Sequence, residues 1–141
     1  MRILVLNGPN LDRLGEREPA IYGHRSMESW LVEMRALYPE HRLDHVQSNL
    51  EGVLIEELRR ADAACDGVVL NPAGYAHTSV ALRDALAMMH KPVVEVHLSN
   101  VHAREPYRHV LLTAAACAGC ISGLGLDGYR LALEWLLRRP L

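Results

Sequence analysis

Two stretches of the sequence carry side chains of the kinds that transfer protons. An early polar stretch holds Arg17 and Tyr22, and a later apolar run ends in Glu95-Val96-His97. Alternate residues of a β-strand share a face, so Glu95 and His97 would meet and the carboxylate would orient the imidazole. Unpaired charge is costly in a buried strand, which favours a functional interpretation of this pair. These residues predict acid–base chemistry performed by side chains alone.

Polar side chains also follow two other apolar runs. Asn10 lies shortly after the first run, and Asn71 and His77 lie at and beyond the end of the third. Taken singly, Asn71 could satisfy its own turn and His77 could be a hydrogen-bonded structural histidine. Downstream, residues 104–108 contain two arginines, whose planar guanidinium groups suit bidentate binding of a carboxylate. Together these positions predict a binding site for a small molecule that carries a carboxylate.

The composition limits the kind of protein that such a site can belong to. The chain has 141 residues, of which 50% are hydrophobic, so it fits one catalytic domain, residues 1–141, with one core. Its formal net charge of −2 and its lack of a Lys/Arg block argue against nucleic acid or an anionic membrane as partner. No apolar run approaches the roughly 20 residues of a membrane span, and the first run is too short for a signal peptide. We expect a cytoplasmic protein that acts on a small molecule.

The cysteines form one recognisable motif, Cys117-Ala-Gly-Cys120, but are too few for a disulfide scaffold. A structural zinc site needs four ligands, and the sequence offers no second CxxC or HxxxH pair, so we expect no metal. A thioredoxin-like redox pair would follow a strand and begin a helix, whereas these cysteines lie in a run of small residues that resembles a buried strand. Both are therefore predicted to be structural, buried thiols.

Apolar patterns predict the elements that position these groups. Five runs predict β-strands, at 2–6, 42–47, 67–70, 92–96 and 117–122. Four stretches with helical spacing predict α-helices, at 27–37, 51–64, 79–89 and 129–137. The strand at 42–47 has the weaker, alternating pattern and is expected nearer the sheet edge, and Ser26 is the expected N-cap of the first helix. Such alternation predicts an α/β protein with a flavodoxin-like, doubly wound, five-stranded parallel sheet and helices on both faces.

The connection after the first strand, about residues 8–25, is far longer than the 2 to 6 residues typical of βα loops. Long loops in compact domains usually serve as lids or binding elements, although this one could be a disordered polar insertion. It contains neither the GxxxxGK[ST] of a P-loop nor the GxGxxG of a dinucleotide site, and no Ser/Thr cluster for a flavin phosphate. We therefore expect a lid loop and no cofactor.

Seven motifs, taken in order along nearly the whole chain, resemble those of type II 3-dehydroquinate dehydratases. They are Asn7-Gly-Pro-Asn-Leu11, Arg17-Glu-Pro-x-x-Tyr-Gly23, Gln47-Ser-Asn49, Asn71-Pro-x-x-Tyr-x-His-Thr-Ser79, Val80-Ala-Leu-Arg-Asp84, Glu95-Val-His-Leu-Ser-Asn100 and Gly123-Leu-Gly-x-x-Gly-Tyr129. The resemblance implies a flavodoxin-like lyase that needs no metal or cofactor. It also implies anti elimination of water from 3-dehydroquinate to 3-dehydroshikimate through an enolate, in the shikimate pathway of aromatic amino acid biosynthesis.

The resemblance assigns roles to the proton-transfer residues. Tyr22, as phenolate, would take the proton from the carbon beside the ketone, and Arg17 would lower the pKa of that phenol by stabilising its charged form. Asn10 would help to stabilise the enolate oxygen through a bound water. His97, oriented by Glu95, would act as general acid on the departing hydroxyl.

Binding roles follow from the resemblance in the same way. It implies that Asn71, His77 and Arg108 hold the hydroxyls and the carboxylate of the substrate. It also implies that the turn at Leu98 and Ser99 binds the carboxylate. The expected ligand is therefore 3-dehydroquinate, held by side chains from several loops.

Two further residues bear on assembly and mechanism. By resemblance, Asp84 reaches the site of a neighbouring subunit, since the family assembles as trimers grouped into a dodecamer. Lys91 is the one lysine of the chain; it precedes its strand and is therefore expected at the opposite end of the sheet from the crevice. This placement excludes the Schiff-base route that the unrelated type I enzymes use. The rival interpretation is a non-catalytic flavodoxin-like protein that binds a small polyol acid.

Overall fold

The computed structural model describes residues 1–16, 20 and 25–140, and a sheet of five parallel strands lies at their centre. The strands are β1 (Arg2–Asn7), β2 (Arg42–Gln47), β3 (Gly67–Asn71), β4 (Val93–His97) and β5 (Gly119–Ser122). They lie in the order β2-β1-β3-β4-β5, so β2 is an edge strand, as its weaker pattern predicts. β2 lies on one side of β1, whereas β3, β4 and β5 follow one another on the other side, so the strand order changes direction between β1 and β3. Folds of this kind bind ligands at such a switch point.

In the described ranges 1–16 and 25–140, four α-helices cover the two faces of the sheet. They are α1 (Met27–Leu37), α2 (Glu51–Ala64), α3 (Val80–Ala87) and α4 (Leu126–Leu137). One core layer contains side chains of α1 and α4, such as Trp30 and Tyr129, whose ring centroids lie 5.6 Å apart in an edge-to-face contact. The other layer contains side chains of α2 and α3, such as Leu58 and Leu82. This arrangement confirms the predicted flavodoxin-like, doubly wound fold.

Serine side chains begin two of these helices. Oγ of Ser26 accepts a hydrogen bond from the Ser29 N–H at 3.1 Å, which confirms the predicted N-cap of α1. Oγ of Ser79 accepts from the Leu82 N–H at 2.9 Å, and Ser79 is buried. Since Ser79 comes two residues after His77, this cap also fixes where the chain leaves the loop that carries that histidine.

The predicted buried strand at 117–122 is wrong in its start and in its burial. The strand begins at Gly119, and Gly119 and Cys120 are exposed because β5 is the outer strand beyond β4. Cys117 is only half-buried. Partial burial and the nearby Glu95 carboxylate raise the pKa of the Cys120 thiol to about 11, which disfavours the low-pKa thiolate that a redox pair needs.

The helix predictions differ from the structure at their ends and on their flanks. α4 begins at Leu126 instead of residue 129, and α3 ends at Ala87 instead of residue 89. Several apolar residues of the predicted helical stripes are exposed, namely Leu37, Val53, Val80, Leu131 and Trp135. Helical spacing finds the apolar stripe but does not show how much of its width the sheet covers. No helix in the described part of the chain is both long and apolar enough to cross a membrane.

A series of side-chain hydrogen bonds connects α4, β1 and β2 at the carboxyl end of β1. The Tyr129 hydroxyl donates to Oδ1 of Asn7 at 2.9 Å, and both residues are fully buried. The side-chain amide nitrogen of Asn7, Nδ2, lies 3.2 Å from Nε2 of His45 on β2. Since this nitrogen can only donate, Nε2 of His45 is the unprotonated nitrogen of a neutral ring. Burial, and after it the charge of Arg35, lowers the pKa of His45, in agreement with a neutral ring.

We expect the free energy of unfolding to fall as the pH drops below about 6.5, the ordinary pKa of histidine in an unfolded chain. The folded protein binds a proton at His45 less readily than the unfolded chain does. The contribution of neutral His45 to the free energy of unfolding is therefore complete above that pH and is lost below it. Protonation also breaks the hydrogen bond from Asn7, which is worth about 1 kcal/mol. Chemical denaturation between about pH 5 and pH 8 measures this loss. His45→Gln does not titrate and should show a shallower decline; parallel curves for the two proteins would contradict the assignment.

Candidate active site

A cleft with a volume of about 200 Å³ opens at the carboxyl ends of the strands. This volume suits a small polar molecule better than the drug-sized ligands that occupy pockets of about 300–1,000 Å³. The residues predicted from the sequence that line it are Asn10, Asn71, His77, His97, Leu98, Ser99 and Arg108. The loops after β1, β3 and β4 bring them together because the carboxyl ends of neighbouring parallel strands meet at one edge of the sheet.

The Glu95–His97 pair lies at the wall of this cleft that β4 forms. Nε2 of His97 lies 2.7 Å from Oε1 of Glu95. Glu95 is fully buried and His97 is 5% exposed, so the imidazole is the member of the pair that reaches the cleft. The carboxylate accepts the Nε2–H and leaves Nδ1 as the nitrogen that can exchange a proton with a ligand. The arrangement can deliver a proton to a bound molecule while Glu95 compensates the charge of the imidazolium.

His77 faces the same cleft from the loop after β3. Its ring centroid lies 6.2 Å from that of His97, and its Nδ1 lies 2.8 Å from the carbonyl oxygen of Val110. Because a carbonyl can only accept, Nδ1 of His77 carries the proton. Burial is the largest influence on the pKa of His77 and lowers it, so the ring is neutral at about pH 7. Nε2 of His77 can therefore accept a hydrogen bond from a hydroxyl group of a ligand.

The loop after β1 is held close to the end of β3. The Gly8 N–H donates to the Asn71 carbonyl at 2.8 Å, and a Cβ atom at position 8 would lie 2.6 Å from the carbonyl oxygen of Pro72. Only glycine fits this close approach. Asn10 then adopts a left-handed conformation with φ of 68°, which asparagine tolerates, and its N–H donates to Oδ1 of Asn49 at 3.0 Å. These contacts position Asn10 at the cleft.

The side chain of Asn71 has two functions in this structure. Its Oδ1 accepts a hydrogen bond from the Ala73 N–H at 3.0 Å and so forms the local turn. Its NH₂ group is the part that can donate to a ligand. Ala73 is held at φ of 52°, a conformation that costs a non-glycine residue free energy and that clusters at functional sites. The turn interpretation and the binding interpretation of Asn71 are therefore compatible.

The turn after β4 is anchored by the last residue of β5 and by the loop that connects β5 to α4. The Gly125 N–H donates to the Leu98 carbonyl at 2.9 Å, and the Ser122 hydroxyl donates to the Ser99 carbonyl at 3.1 Å. Oγ of Ser122 also accepts from the Val101 N–H at 3.2 Å. Because β5 and the loop after it hold these two carbonyls by hydrogen bonds, the turn presents a fixed backbone to the cleft.

Arginine side chains line one part of the cleft. Nη1 of Arg104 donates to Oγ of Ser99 at 3.1 Å, and Nε of Arg108 donates to Oε2 of Glu105 at 2.8 Å. A hydrogen bond from the backbone N–H of Glu105 itself, followed by the one from Arg108, lowers the pKa of Glu105 to about 2. The Glu105–Arg108 pair is therefore ionic at neutral pH and holds a planar guanidinium at the cleft. Guanidinium groups placed in this way suit a carboxylate ligand.

Arg13 and Arg104 also line the cleft, although the sequence does not identify them as site residues. Arg104 belongs to the arginine-rich segment that the sequence does point out, and its place beside Ser99 becomes visible only in the fold. Arg13 carries no signal beyond its place in the long loop after β1. The sequence therefore predicts fewer arginines at the site than the structure places there.

Other predicted residues lie away from this cleft or outside the described part of the chain. Asp84 is exposed on α3 and does not line the cleft of its own chain. Arg17 and Tyr22 lie outside the described residues. Lys91 precedes β4 and lines a separate cavity at the amino end of that strand, as predicted. The described cleft of this chain therefore contains the predicted acid and binding residues other than Asp84, whereas the predicted base, Tyr22, and Arg17 lie outside the described residues.

Comparison with known proteins identifies close relatives. The model of the family described as Dehydroquinase class II matches residues 1–137. The 3-dehydroquinate dehydratase of Anoxybacillus flavithermus is 51% identical over 140 residues, which cover 97% of this chain and 94% of that protein. The 3-dehydroquinate dehydratase of Erwinia tasmaniensis is 48% identical over 141 residues, which cover 99% of this chain and 94% of that protein. The crystal structure of type II dehydroquinase from Butyrivibrio crossotus superposes with a TM-score of 0.93 at 42% identity and covers 97% of each chain.

Proposed function

This chain belongs to the class II dehydroquinase family, and we propose that it removes water from 3-dehydroquinate by anti elimination through an enolate to give 3-dehydroshikimate. It is accordingly a hydro-lyase of the shikimate pathway, which leads to the aromatic amino acids. The observation that carries the proposal for the chemistry is the buried hydrogen bond of 2.7 Å between Glu95 and His97 at an arginine-lined cleft.

We assign the general acid to His97. Its imidazolium gives a proton to the departing hydroxyl, which leaves as water. Glu95 orients the ring and stabilises its charged form before the transfer, because it is a fully buried carboxylate that contacts the ring nitrogen. Glu95 is thus a positioning residue, since it acts through His97.

We assign the general base to Tyr22, on the lid loop of about residues 8–25. Its phenolate takes the proton from the carbon beside the ketone, and the electron pair moves onto the ketone oxygen to form the enolate. A phenol with the ordinary pKa of about 10 is a scarce base at neutral pH, and Arg17 would lower that pKa by stabilising the phenolate. Asn10 would hold a water at the enolate oxygen. Closure of the loop over the substrate would bring Tyr22 and Arg17 to the cleft.

We assign substrate binding to the remaining cleft residues. Arg108 and the anchored turn at Leu98 and Ser99 suit the carboxylate, because they combine a guanidinium with a fixed backbone. The NH₂ group of Asn71 and Nε2 of the neutral His77 suit the hydroxyls of the substrate. The mechanism needs only proton transfers, so we propose that it uses no cofactor and no lysine.

A direct assay tests this function. Purified protein and 3-dehydroquinate should give the conjugated enone 3-dehydroshikimate, whose ultraviolet absorbance rises with time. A protein that binds 3-dehydroquinate by calorimetry but produces no enone would instead be the non-catalytic binding protein of the rival interpretation.

We further propose that residues 1–141 form one catalytic domain that works in the cytoplasm. One continuous sheet with a core layer on each face supports a single domain. The three cysteines are all free, as is usual in a reducing compartment.

We propose that the active protein is a dodecamer, a tetramer of trimers in which Asp84 reaches the site of a neighbouring subunit. Val80 and Asp84 lie one helical turn apart on α3, and Met88, the residue that ends this helix, lies one turn further along the same exposed side. The apolar residues Val80 and Met88 are 61% and 71% exposed. An apolar stripe around a charged residue suits a subunit contact.

Val80→Glu should break this assembly into smaller species and lower turnover, because a buried, unpaired carboxylate is costly at an interface. Analytical ultracentrifugation and the enone assay measure the two effects. Val32→Glu is the matched control, since Val32 is 62% exposed on α1 and should leave both unchanged. A fully active wild-type monomer would contradict the proposed assembly.

A further inference from the structure

Three donor atoms of metal-binding type meet behind the cleft. A carboxylate oxygen of Glu95, a ring nitrogen of His97 and the sulfur of Cys120 all lie within 4.8 Å of one another. The sheet causes this meeting, because the register pairs Glu95 with Cys120 across β4 and β5 and alternation along β4 places His97 on the same face. Cys117 adds a second sulfur at 3.9 Å from Oε2 of Glu95. The sequence near the CxxC motif contains no further metal ligands, and β4 supplies them in the fold as Glu95 and His97.

The donor set selects one class of cation. Zinc binds thiolate, imidazole and carboxylate ligands at about 2.0–2.3 Å, so donors this close together can converge on one ion after small side-chain rotations. The Glu95 carboxylate and a Cys120 thiolate carry two negative charges and balance a dication, which avoids net charge in a buried site. Mg²⁺ and Ca²⁺ prefer oxygen ligands and fit this set poorly. The site therefore suits a thiophilic dication.

The edge of the sheet offers a path to these donors. Cys120 is exposed on the outer strand β5, whereas Glu95 is fully buried and His97 nearly so. An ion can bind the Cys120 sulfur first and then reach the two inner donors without crossing the hydrophobic core. A zinc ion usually has four ligands, so three protein ligands leave one coordination position for water or for the sulfur of Cys117.

We propose that Glu95, His97 and Cys120 form a site for a thiophilic divalent cation, Zn²⁺ or Cd²⁺, and that the bound ion inhibits the dehydratase. Binding forms a metal–sulfur bond in place of the S–H bond of Cys120, whose proton goes to solvent. The His97 ring nitrogen that contacts Glu95 first gives up its proton, which passes to Nδ1 of the same ring or to solvent, and its hydrogen bond to Glu95 is broken. That nitrogen and the Glu95 carboxylate then each donate a lone pair to the ion, and no group changes its oxidation state. Because the ion engages both members of the Glu95–His97 pair, His97 can no longer deliver its proton. Inhibition rests on the proposed function, whereas metal binding does not.

Zinc chloride is the first probe, applied to wild-type protein, Cys120→Ser and Cys65→Ser. Cys65 is a buried thiol outside the cluster, so its variant controls for the loss of one sulfur. We expect zinc to inhibit wild type and Cys65→Ser alike, and EDTA to restore their activity. Cys120→Ser should keep normal activity without zinc and should need at least about tenfold more zinc for half-inhibition, since loss of even an indirect partner costs about 10–100-fold in metal affinity.

Cobalt(II) chloride is the second probe and needs no catalysis. A thiolate bound to Co²⁺ produces a charge-transfer absorption, which we expect with wild type and not with Cys120→Ser. Equal zinc inhibition of both proteins, or the same cobalt spectrum from both, would overturn the site. A cobalt band without zinc inhibition would overturn the inhibitory role. A cobalt band in a protein that produces no enone would overturn the proposed function and leave the metal site standing.

Discussion

His97→Gln should lower kcat for 3-dehydroquinate by about 10²–10⁴-fold, the usual contribution of a general acid. The glutamine amide can still donate to Glu95, so the buried carboxylate keeps a hydrogen bond and the fold should survive. The amide cannot give a proton to the departing hydroxyl, so the loss should fall on kcat, with KM changed by less than about tenfold. Steady-state rates from the enone absorbance measure both constants.

His102→Gln provides the matched control for that variant. His102 is an exposed histidine in the short 3₁₀ turn Val101–Ala103 and does not line the cleft, so its replacement should leave kcat unchanged. Thermal denaturation followed by circular dichroism checks that both variants fold. A His97→Gln enzyme with kcat near that of wild type would show that another group protonates the leaving hydroxyl.

The central strands could be predicted because local composition and burial agree there. β1, β3 and β4 are buried along nearly their whole length, and each reads as an almost continuous apolar run. The segment at 117–122 has a similar composition of small and apolar residues, yet its first strand residues are exposed. Its position in the sheet depends on pairing with β4, a long-range contact that composition does not encode. The prediction therefore located a strand there and misjudged its burial.

The same distinction applies to the site. The Glu95–His97 contact could be predicted because both residues lie on one strand, where alternation alone brings them together. The approach of Cys120 to this pair could not, since it requires the register between two strands that are far apart in the sequence. The contact between Arg104 and Ser99 depends on how the irregular chain after β4 folds back, for which the sequence has no periodic signal.

Tyr22→Phe should lower kcat by at least about 10³-fold while the protein still binds 3-dehydroquinate. Phenylalanine keeps the ring and lacks the hydroxyl, so the proposed base is removed with little change in shape. Binding should persist because the groups proposed to hold the carboxylate and hydroxyls, such as Arg108 and Asn71, belong to other loops of the cleft. Calorimetric titration with 3-dehydroquinate and the enone assay measure affinity and turnover separately.

Tyr38→Phe is the matched control, because the Tyr38 hydroxyl donates to Glu134 at 2.7 Å and lies outside the cleft lining. If Tyr22→Phe lost affinity and kept kcat, Tyr22 would be a binding residue. If it kept both, another group would be the base. Deuterium uptake from solvent at the carbon beside the ketone separates the two proton transfers. His97→Gln should still exchange that hydrogen faster than it forms enone, since the enolate forms without the acid, whereas Tyr22→Phe should lose exchange and turnover together.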